Sequence, residues 1–424
     1  MMFALEEKQK SMAKLKVVGI GGAGGNAVNR MVQSGMKGVE FIAVNTDMMA
    51  LGNNAAENKI QIGSTLTRGL GAGANPQMGM LSMQEDRDRV REQLEGADMI
   101  FIAAGMGGGT GTGAAPVVAE LARELDILTV AVVTRPFAWE GPVRERNAQE
   151  GLEALRRWVD TVIVVPNQKL LSVVEKTTTM RAAFAMADEI LISAVRGISE
   201  IILKHGDIQV DFADVRTIMA QGGDALMGMG HASGENKATV AADRAIHSPL
   251  LDNVNIAGAT GVLVNITGGE DLGLNDVNDA MNAIYEAVGT GVQANIIFGT
   301  VINPEFSDEI AITVIATGFA APAGSKASSA FREGVRRPGV VALTPRLTSV
   351  ESDSVSGDSP MDDATGKVPF GARPAARPSL VPSEAGGDAR RGAFSNLFGS
   401  RGRAVEAEPD IDYETPAFLR NQAD

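Results

Sequence analysis

Three glycine-rich segments near the start of the chain have the residue types that bind phosphate. The first runs from Gly19 to Gly24, the second from Gly105 to Gly113 and the third from Gly69 to Pro76. Glycine lets backbone N–H groups approach an anion, and a helix that starts behind the loop adds partial positive charge. The second segment adds the hydroxyls of Thr110 and Thr112. Two such cradles in one sheet, with the third segment closing over the terminal phosphate, predict a nucleoside triphosphate site.

The first segment on its own permits another interpretation. It fits the pattern Gly-x-Gly-x-x-Gly, and Asp47 stands at the end of the next predicted strand, as in many nicotinamide and flavin dinucleotide sites. An NAD-dependent oxidoreductase is therefore an alternative, although no base for hydride chemistry is evident. A Walker A loop is excluded, because neither Gly-Lys-Ser nor Gly-Lys-Thr occurs in these segments.

The composition limits the chemistry that the chain can perform. It contains no cysteine, which excludes disulfides, thiolate nucleophiles and cysteine-bound zinc. The three histidines, His205, His231 and His247, are too few to predict a histidine-rich metal site. A formal net charge of −14 argues against nucleic acid or an anionic membrane as the main partner. No secretory signal and no apolar stretch of about 18 residues is found, so the expected location is cytoplasmic.

The glycine segments lie in a region where strands and helices alternate, which indicates an α/β fold with a doubly wound parallel sheet. The predicted strands are Lys14–Ile20, Glu40–Asn45, Asp98–Ala104, Leu128–Thr134 and Thr161–Pro166. The helices predicted between them are Asn26–Gln33, Gln77–Glu95, Ala114–Leu125 and Gly141–Val159. The first and second glycine segments each follow a strand and open a helix, as a phosphate site requires.

The pattern changes after this region. Apolar positions cover most of a cylinder from Met180 to Leu203, which predicts a helix buried between two bodies. A smaller α+β domain is expected to follow, with helices Asp211–Met219, Gly234–His247 and Asn275–Val288 and strands Gly261–Thr267, Val292–Gly299 and Glu309–Ala316. The predicted divisions are a flexible N-terminus (1–13), a nucleotide-binding domain (14–178), the central helix with its connecting loop (179–208), the α+β domain (209–320), a disordered linker (321–408) and a partner-binding peptide (409–424).

The last quarter of the chain is expected to be a flexible linker with a docking peptide at its end. Ten of the 17 prolines fall between residues 321 and 424, where apolar periodicity stops. Apolar residues gather again between Asp410 and Arg420, which is typical of a peptide that binds a partner. A frayed terminus with chance aromatic residues is the alternative. The side chains expected to contact a partner are Tyr413, Pro416, Phe418, Leu419 and Arg420.

The glycine segments contain no evident group that could orient an attacking water molecule. Asp211 and Asp214 lie three residues apart at the start of a predicted helix, so that both carboxylates face the same external point. The spacing indicates an acidic pair that could act on a phosphate site. The alternative is that these acids favour the helix N-terminus, with Asp211 as its cap, and Asp211 can fill both roles.

The residues of the second glycine segment carry a family resemblance. Gly107 to Gly113 reads Gly-Gly-Gly-Thr-Gly-Thr-Gly, which resembles the signature loop of tubulin, and about residues 15–318 resemble the FtsZ family of bacterial tubulin homologues. The resemblance implies a GTPase that polymerises head to tail and builds the cell-division ring at midcell. It also implies that Mg²⁺ is carried on the GTP phosphates, without side-chain ligands, and that the C-terminal peptide binds membrane adaptors and regulators of division.

The resemblance also implies roles for individual residues. The implied GTP contacts are Gly22, Ala23, Gly24, Gly25, Asn26, Ala72, Gly73, Gly109, Thr110, Gly111, Thr134, Glu140, Arg144, Asn167, Phe184 and Asp188. Phe184 would lie on the base, and Asp188 would accept from guanine N1–H and N2–H₂, a donor pair that adenine lacks. The loop with Gln209, Asp211 and Asp214 would enter the nucleotide site of the next subunit, where its carboxylates polarise the attacking water. Without the resemblance, Phe184 and Asp188 also fit an ordinary core aromatic residue and a solvated helix charge.

The sequence departs from the family pattern at three positions. Gln209 stands where the family usually has asparagine, and Pro142 and Val143 stand where it often has basic residues. A longer side chain at residue 209 positions water more loosely, and the local positive charge near the nucleotide is weaker. A divergent GTP-binding scaffold, or a second copy with reduced hydrolysis, therefore stays open beside the active GTPase. Polymerisation needs only bound GTP and a fitting interface, so it is expected in both cases.

Overall fold

The computed structural model describes residues 13–319, except 173–176, 205, 222, 252–255 and 290–293. The predictions for the linker, for the C-terminal peptide and for most of the N-terminal segment lie outside the described residues. The same holds for the five tail residues that were expected to contact a partner.

The described residues form ten strands in one sheet. The strands are β1 (Leu15–Ile20), β2 (Val39–Asn45), β3 (Asn58–Gln61), β4 (Met99–Gly105), β5 (Leu128–Arg135), β6 (Thr161–Pro166), β7 (Gly223–Ser233), β8 (Gly261–Gly268), β9 (Asn295–Ile302) and β10 (Glu309–Thr317). Their order across the sheet is β3-β2-β1-β4-β5-β6-β7-β10-β8-β9. The pairs from β3 to β7 are parallel, whereas β10 runs antiparallel to both β7 and β8.

Helices connect these strands. They are α1 (Gly21–Gln33), α2 (Met48–Gly52), α3 (Ser64–Thr67), α4 (Pro76–Glu85), α5 (Arg87–Leu94), α6 (Thr110–Glu124), α7 (Pro142–Leu155), α8 (Asn167–Leu170), α9 (Met180–Leu203), α10 (Phe212–Met219), α11 (Lys237–Ile246) and α12 (Leu274–Val288). Within the described residues, no helix combines the length and the apolar character needed to cross a membrane.

The parallel strands are apolar on both faces, which explains the layered arrangement. All six residues of β1 are buried, and so are the first six of β4. A strand buried on both faces needs helices on each side of the sheet. Helices α1 and α9 supply the core on one face, and α6 and α7 supply the core on the other. The predicted doubly wound, mainly parallel sheet is confirmed.

Helix α9 has the bounds that the sequence predicted. Its N-terminus is capped by Thr179, whose side chain accepts from Ala182 N at 3.2 Å. Its buried side chains share one core with Val132 of β5 and Leu263 of β8. The side-chain amide of Asn265 in β8 also donates to Gly197 O at 3.1 Å. The helix therefore packs against strands that precede it and strands that follow it, while the expected domain boundary near residue 209 stays a prediction.

Strand β7 was not predicted from the sequence, although it joins the two parts of the sheet. It pairs with β6 on one side and with β10 on the other. Gly228 and Gly230 interrupt the apolar alternation by which strands are recognised. Both must be glycine because α11 crosses close by: a Cβ atom at either position would lie 1.9 Å from a backbone oxygen of that helix. Close packing, rather than local strand preference, explains the missed element.

The prediction of one continuous helix over Gln77–Glu95 is wrong, because the structure has two helices there. The break is at Asp86, between α4 and α5. Its carboxylate accepts from Gly63 N at 2.8 Å and pairs with Arg89 at 2.7 Å. Because Asp86 is bonded to a loop that is distant in the chain, α4 ends there and α5 begins after it. The periodicity of the sequence does not indicate this contact.

The packing of α4 on α6 gives a test of the fold. A Cβ atom at Gly113 would lie 1.9 Å from Pro76 O and 2.6 Å from Met80 N. We expect Gly113→Ala to lower the free energy of unfolding by about 3 kcal/mol, because the backbones must separate. Urea denaturation of nucleotide-free protein measures this. Gly108→Ala is the matched control, since its Cβ would have open space around it; equal stability of the two variants would contradict the packing.

Candidate nucleotide-binding site

The three glycine segments meet at one edge of the sheet. The first two follow β1 and β4, which are neighbouring parallel strands with Ile20 opposite Ala104. A Cβ atom on Gly21 would lie 3.0 Å from Gly111 N, so the first two segments touch. A Cβ atom on Gly109 would lie 2.8 Å from the Cβ of Ala72, which brings in the third segment. The structure therefore brings together the predicted phosphate-binding segments.

Two helix N-termini open at this edge without side-chain caps. Helix α1 starts at Gly21 and α6 at Thr110, and neither has a side-chain hydrogen bond at its N-cap. The sequence predicted this helix only from Ala114, so its first turn includes more of the glycine segment than predicted. The unbonded N–H groups of a first turn attract an anion. Gly22, Ala23 and Gly24 lie in the first turn of α1 and Gly111 in that of α6, as phosphate binding through the backbone requires, whereas Gly25 follows in the second turn of α1.

The two threonine hydroxyls of the second segment are bonded within the protein. Thr110 Oγ1 lies 2.6 Å from Thr46 Oγ1, and Thr112 Oγ1 accepts from Gly107 N at 2.8 Å. Both threonine side chains are buried. Their hydroxyls therefore hold the loop in shape, and the N–H groups are the donors best placed for phosphate.

The third segment has a backbone curved enough to expose N–H groups. Gly69, Gly71, Gly73 and Ala74 all have positive φ angles. Ala72 is buried, whereas Gly73 is exposed with open space around it. Successive backbone N–H groups in such conformations form anion-binding concavities. This geometry is compatible with the predicted contact of Ala72 and Gly73 with the terminal phosphate.

A cavity of about 220 Å³ adjoins the first segment. It is lined by one face of α1, the end of β2 and the α2 region: Gly21, Gly22, Gly25, Asn26, Asn29, Ala43, Val44, Asn45, Ala50, Leu51, Asn53 and Asn54. Its polar side chains are amides, without a charged group. We call the carboxyl ends of β1 and β4, with the three glycine segments, the phosphate edge. Asn26 therefore lies between the phosphate edge and a neutral pocket lined by hydrogen-bonding amides.

Phe184, Asp188 and Asn167 were predicted to form the base pocket. Phe184 and Asp188 are one turn apart on α9, so they share a face of that helix. Phe184 is exposed and Asp188 is buried. Asn167, at the end of β6, is buried too, and its Oδ1 has no hydrogen-bond partner among the described residues. A buried amide oxygen without a donor fits a site that a ligand N–H group completes.

Burial raises the pKa of Asp188 to about 6, although Arg30 opposes the shift. Arg30 Nε of α1 lies 3.1 Å from the carboxylate. Arg30 was not predicted from the sequence, because its contact with Asp188 joins two helices that are far apart in the chain. The guanidinium of Arg30 thus holds the carboxylate in place.

Phe184 belongs to an aromatic cluster that sequence reasoning also missed. Phe137 stacks on Trp139 with ring centroids 5.3 Å apart, and Phe184 stands edge-on to both rings, at 5.5 and 6.2 Å. Phe137 is buried, and Trp139 is exposed. The only signal in the sequence was the position of Trp139 directly before the predicted contact Glu140. Two rings on one side of Phe184 restrict its orientation.

The predicted ribose and phosphate contacts Glu140 and Arg144 are paired with each other. Arg144 Nη1 donates to Glu140 Oε2 at 2.9 Å, and Glu140 Oε1 accepts from Phe137 N, also at 2.9 Å. Thr134 is buried at the end of β5, where its Oγ1 would lie 3.5 Å from a Cβ on Gly105. These residues connect the second glycine segment to the aromatic cluster.

The predicted catalytic loop is exposed. Gln209, Asp211 and Asp214 all face solvent. Asp211 has the backbone position of an N-cap for α10, yet its side chain makes no capping hydrogen bond. No hydrogen bond or ion pair of either carboxylate with another described residue is found. Helix capping by the side chain therefore does not account for Asp211, and both acids are accessible.

Comparison with known proteins decides the family. The Tubulin/FtsZ family, GTPase domain, matches residues 14–175, and the FtsZ family, C-terminal domain, matches residues 223–320. The chain is 45% identical to the cell division protein FtsZ of Pseudomonas aeruginosa over 100% of both chains. The chain belongs to the FtsZ family. Its glycine segments therefore lie in a GTPase domain that binds GTP and GDP, and the dinucleotide interpretation of Gly19 to Gly24 is set aside.

Solved structures agree with this assignment. An empty FtsZ dimer from M. jannaschii has a TM-score of 0.70 and 44% identity, covering 73% of this chain and 89% of that one. CetZ2 from Haloferax volcanii, a protofilament with bound GTPγS, has a TM-score of 0.62 and 26% identity, covering 72% of this chain and 93% of that one. The FtsZ family fold thus extends over both parts of the sheet.

Proposed function

We propose that this protein assembles head to tail into GTP-bound filaments of the cell-division ring and hydrolyses GTP at the contacts between subunits. Its 45% identity to a cell division protein supports the cellular role. A relative solved as a dimer and another solved as a GTPγS-bound protofilament support self-assembly. The observation that carries the proposal is the position of the acidic pair relative to the glycine segments.

The acidic pair and the glycine segments lie at opposite ends of the parallel strands. The glycine segments follow the carboxyl ends of β1 and β4, and the acidic pair lies near the amino ends of β5 and β6. Arg216 of α10 donates to Asp126 O, just before β5, at 3.4 Å, and Thr161 Oγ1 at the start of β6 donates to Met219 O. Helix α10 therefore lies at the amino ends of these strands. The eight residues of β5 span about 26 Å, and α9 extends about 22 Å beyond Asp188. The carboxylates cannot reach the phosphates of their own molecule.

A second copy stacked on the first removes this separation. One end of the molecule presents N–H groups that can donate to phosphate, but no side chain that could orient an attacking water molecule. The other end presents two exposed carboxylates that have no hydrogen-bond or ion-pair partner among the described residues. Head-to-tail contact brings the two halves together and repeats indefinitely, which produces a filament. In this arrangement Asp211 and Asp214 of one copy orient the water that attacks the terminal phosphate held by its neighbour.

We propose that Mg²⁺ enters with GTP, bound to phosphate oxygens and water. The free donors of the glycine segments are backbone N–H groups, and the segments contain no lysine, so they leave the charge of the triphosphate largely uncompensated. In the described residues, no three His, Cys, Asp or Glu side chains gather into a metal site. Phosphate-bound Mg²⁺ fits this donor set, because this ion keeps several waters and binds substrate phosphates. When bound, it would neutralise charge that develops during phosphoryl transfer.

The C-terminal peptide is proposed to bind membrane adaptors and regulators of division, as the family resemblance implies. Its proposed contacts are Tyr413, Pro416, Phe418, Leu419 and Arg420. The linker of residues 321–408 would give this peptide reach while the filament forms from residues 14–320. Removal of residues 409–424 is expected to leave GTP-dependent assembly intact and to abolish the midcell ring in cells, which fluorescence microscopy would show.

A scaffold with reduced hydrolysis is the second candidate function. Gln209 is exposed beside the acidic pair, where a longer amide can hold water differently. Val143 is exposed on α7, one residue from Arg144, and adds no charge near the nucleotide. Both functions predict assembly, so only the rate of phosphate release distinguishes them.

Light scattering and phosphate release, recorded together over a range of protein concentrations, test the proposed function. With GTP we expect both signals to rise steeply above one critical concentration, and with ATP neither should rise. Scattering without phosphate release would favour the scaffold. Hydrolysis per molecule that is as fast in dilute protein as in concentrated protein would contradict a shared active site.

The raised pKa of Asp188 predicts a pH dependence of GTP binding. The ionised carboxylate can accept from both N–H groups of guanine, and protonation removes one of these acceptors. Because the pKa in the free protein is about 6, the carboxyl is neutral below that pH. GTP affinity is expected to fall by up to about tenfold for each pH unit below 6. Calorimetric titrations of dilute protein at pH 7, 6 and 5 measure this, and a variant Asp188→Asn with the same dependence would contradict it.

A further inference from the structure

An exposed apolar patch lies beside the phosphate edge. It consists of Met48, Met49, Leu66 and Leu70, whose side chains are 64%, 80%, 46% and 85% exposed. Met48 and Met49 begin α2, Leu66 belongs to α3, and Leu70 belongs to the third glycine segment. We call these four residues the methionine patch. Exposed apolar residues in such a group indicate a surface that binds another protein.

Backbone contacts make the patch one surface and connect it to the nucleotide site. Met48 N donates to Gly69 O at 3.0 Å, and Asp47 forms an isolated antiparallel bridge with Leu70. A Cβ on Gly69 would lie 3.1 Å from the Cβ of Met48. The residue before Asp47 is Thr46, which is bonded to Thr110 of the second glycine segment. The methionine patch therefore continues the edge at which GTP binds.

The proposed occupant of the patch is a second copy of this chain. The phosphate edge needs the acidic loop of a neighbouring molecule to complete it, and a neighbour that reaches the phosphates also covers the surface that continues from them. Burial of four apolar side chains would stabilise this contact. The patch is then accessible in a free subunit and covered in a filament.

Methionine is the only sulfur-containing residue of this chain, which has 19 methionines and no cysteine. In the described part of the chain, Met48, Met49 and Met180 are the exposed methionines, whereas the others are partly or fully buried. Oxidation of methionine follows exposure, and its product can be reduced enzymatically. Among the described residues, oxidation therefore falls first on these three methionines, two of which belong to the methionine patch.

We propose that Met48 and Met49 are sites of reversible sulfoxidation that weakens filament assembly; this rests on the assembly proposed above. Hydrogen peroxide transfers one oxygen atom to the thioether sulfur. An S–O bond forms, the O–O bond breaks, and the remaining oxygen of the peroxide is released as water. The sulfur loses two electrons and the peroxide gains them. The resulting sulfoxide is polar, so covering it in an apolar contact removes water from a strong acceptor without replacing it.

The test compares the full-length wild type with a double variant, Met48→Leu with Met49→Leu, which keeps the apolar volume but cannot be oxidised. Both are treated with hydrogen peroxide as GDP-bound subunits, the peroxide is removed, and assembly with GTP is followed by light scattering. Mass spectrometry locates the sulfoxides. We expect the critical concentration of wild type to rise by about tenfold and that of the leucine variant by less than about twofold. Methionine sulfoxide reductases should restore the wild type.

A glutamine pair, Met48→Gln with Met49→Gln, supplies an independent measurement without oxidant. It should raise the critical concentration as oxidation does, while GTP binding by dilute subunits stays within about twofold of wild type. Wild type with confirmed sulfoxides at both positions that assembles normally would overturn the inference, as would equal loss of assembly in the oxidised leucine variant. Failure of untreated wild type to assemble with GTP would refute the proposed function, and this inference with it.

Discussion

Asp214→Asn is expected to lower GTP turnover at saturating protein by at least about a hundredfold, the usual contribution of a group that orients or deprotonates an attacking water. The amide keeps the shape of the carboxylate but removes the charge that polarises the water. Filament formation should persist, because GTP binding does not involve this residue. Phosphate release and light scattering on the same sample would show assembly without turnover.

Asp207→Asn is the matched control for this result. Asp207 is an exposed carboxylate in the loop that precedes α10, and it has no role in the proposed site. Its substitution should leave turnover within about twofold of wild type. If the two variants lost turnover equally, the effect would be a general loss of negative charge, and the specific role of Asp214 would be refuted.

Asp188→Asn is expected to weaken GTP binding by about a hundredfold and to reduce the preference for GTP over ATP. The carboxylate is buried and held by Arg30, so it is ready to accept two N–H groups from guanine. An amide at this position offers one acceptor and an opposing donor, and a site built for hydrogen bonds discriminates strongly when they are lost. Competition titrations of GTP and ATP on dilute protein would measure both quantities.

Glu189→Gln controls for the change in charge on α9. Glu189 is the next residue of that helix and is exposed, and of the causes that act on the pKa of Asp188 its charge has the smallest effect. Its substitution should leave both affinities unchanged. Retention of the wild-type preference for GTP by Asp188→Asn would show that other groups recognise guanine, with Asn167 as the first candidate because its buried Oδ1 has no partner among the described residues.

The parts of the site that the sequence predicted are those formed by short, continuous segments of the chain. The glycine segments and the acidic pair each occupy fewer than ten residues, and the turns they form depend on local backbone freedom. Parallel β1 and β4 then bring the first two segments together, because loops at the carboxyl ends of neighbouring parallel strands meet. Local sequence patterns, together with the rule that such loops meet, were sufficient to predict that the glycine segments come together.

The parts that the sequence did not predict depend on contacts between distant residues. Arg30 meets Asp188 across two helices, and Asp86 ends α4 because Gly63 lies near it in the fold. Strand β7 was not recognised because glycines interrupt its apolar alternation, and these glycines are needed where α11 packs closely against the strand. The placement of Asp214 at the end of the strands opposite the glycine segments also required the structure, since a resemblance gives the role of a residue but no distance.

The most direct test of the central claim, that one subunit holds GTP and its neighbour supplies the carboxylates, mixes two inactive variants. Asp188→Asn keeps the acidic pair but binds GTP poorly, whereas Asp214→Asn binds GTP but lacks the acid that acts on water. At a GTP concentration that fills only the second variant, each alone should release little phosphate. An equimolar mixture should recover about a quarter of wild-type turnover, because half of the contacts hold GTP and half of those face an intact Asp214. Turnover no greater than the sum of the two separate rates, in assemblies of any length shown to contain both variants, would contradict the claim.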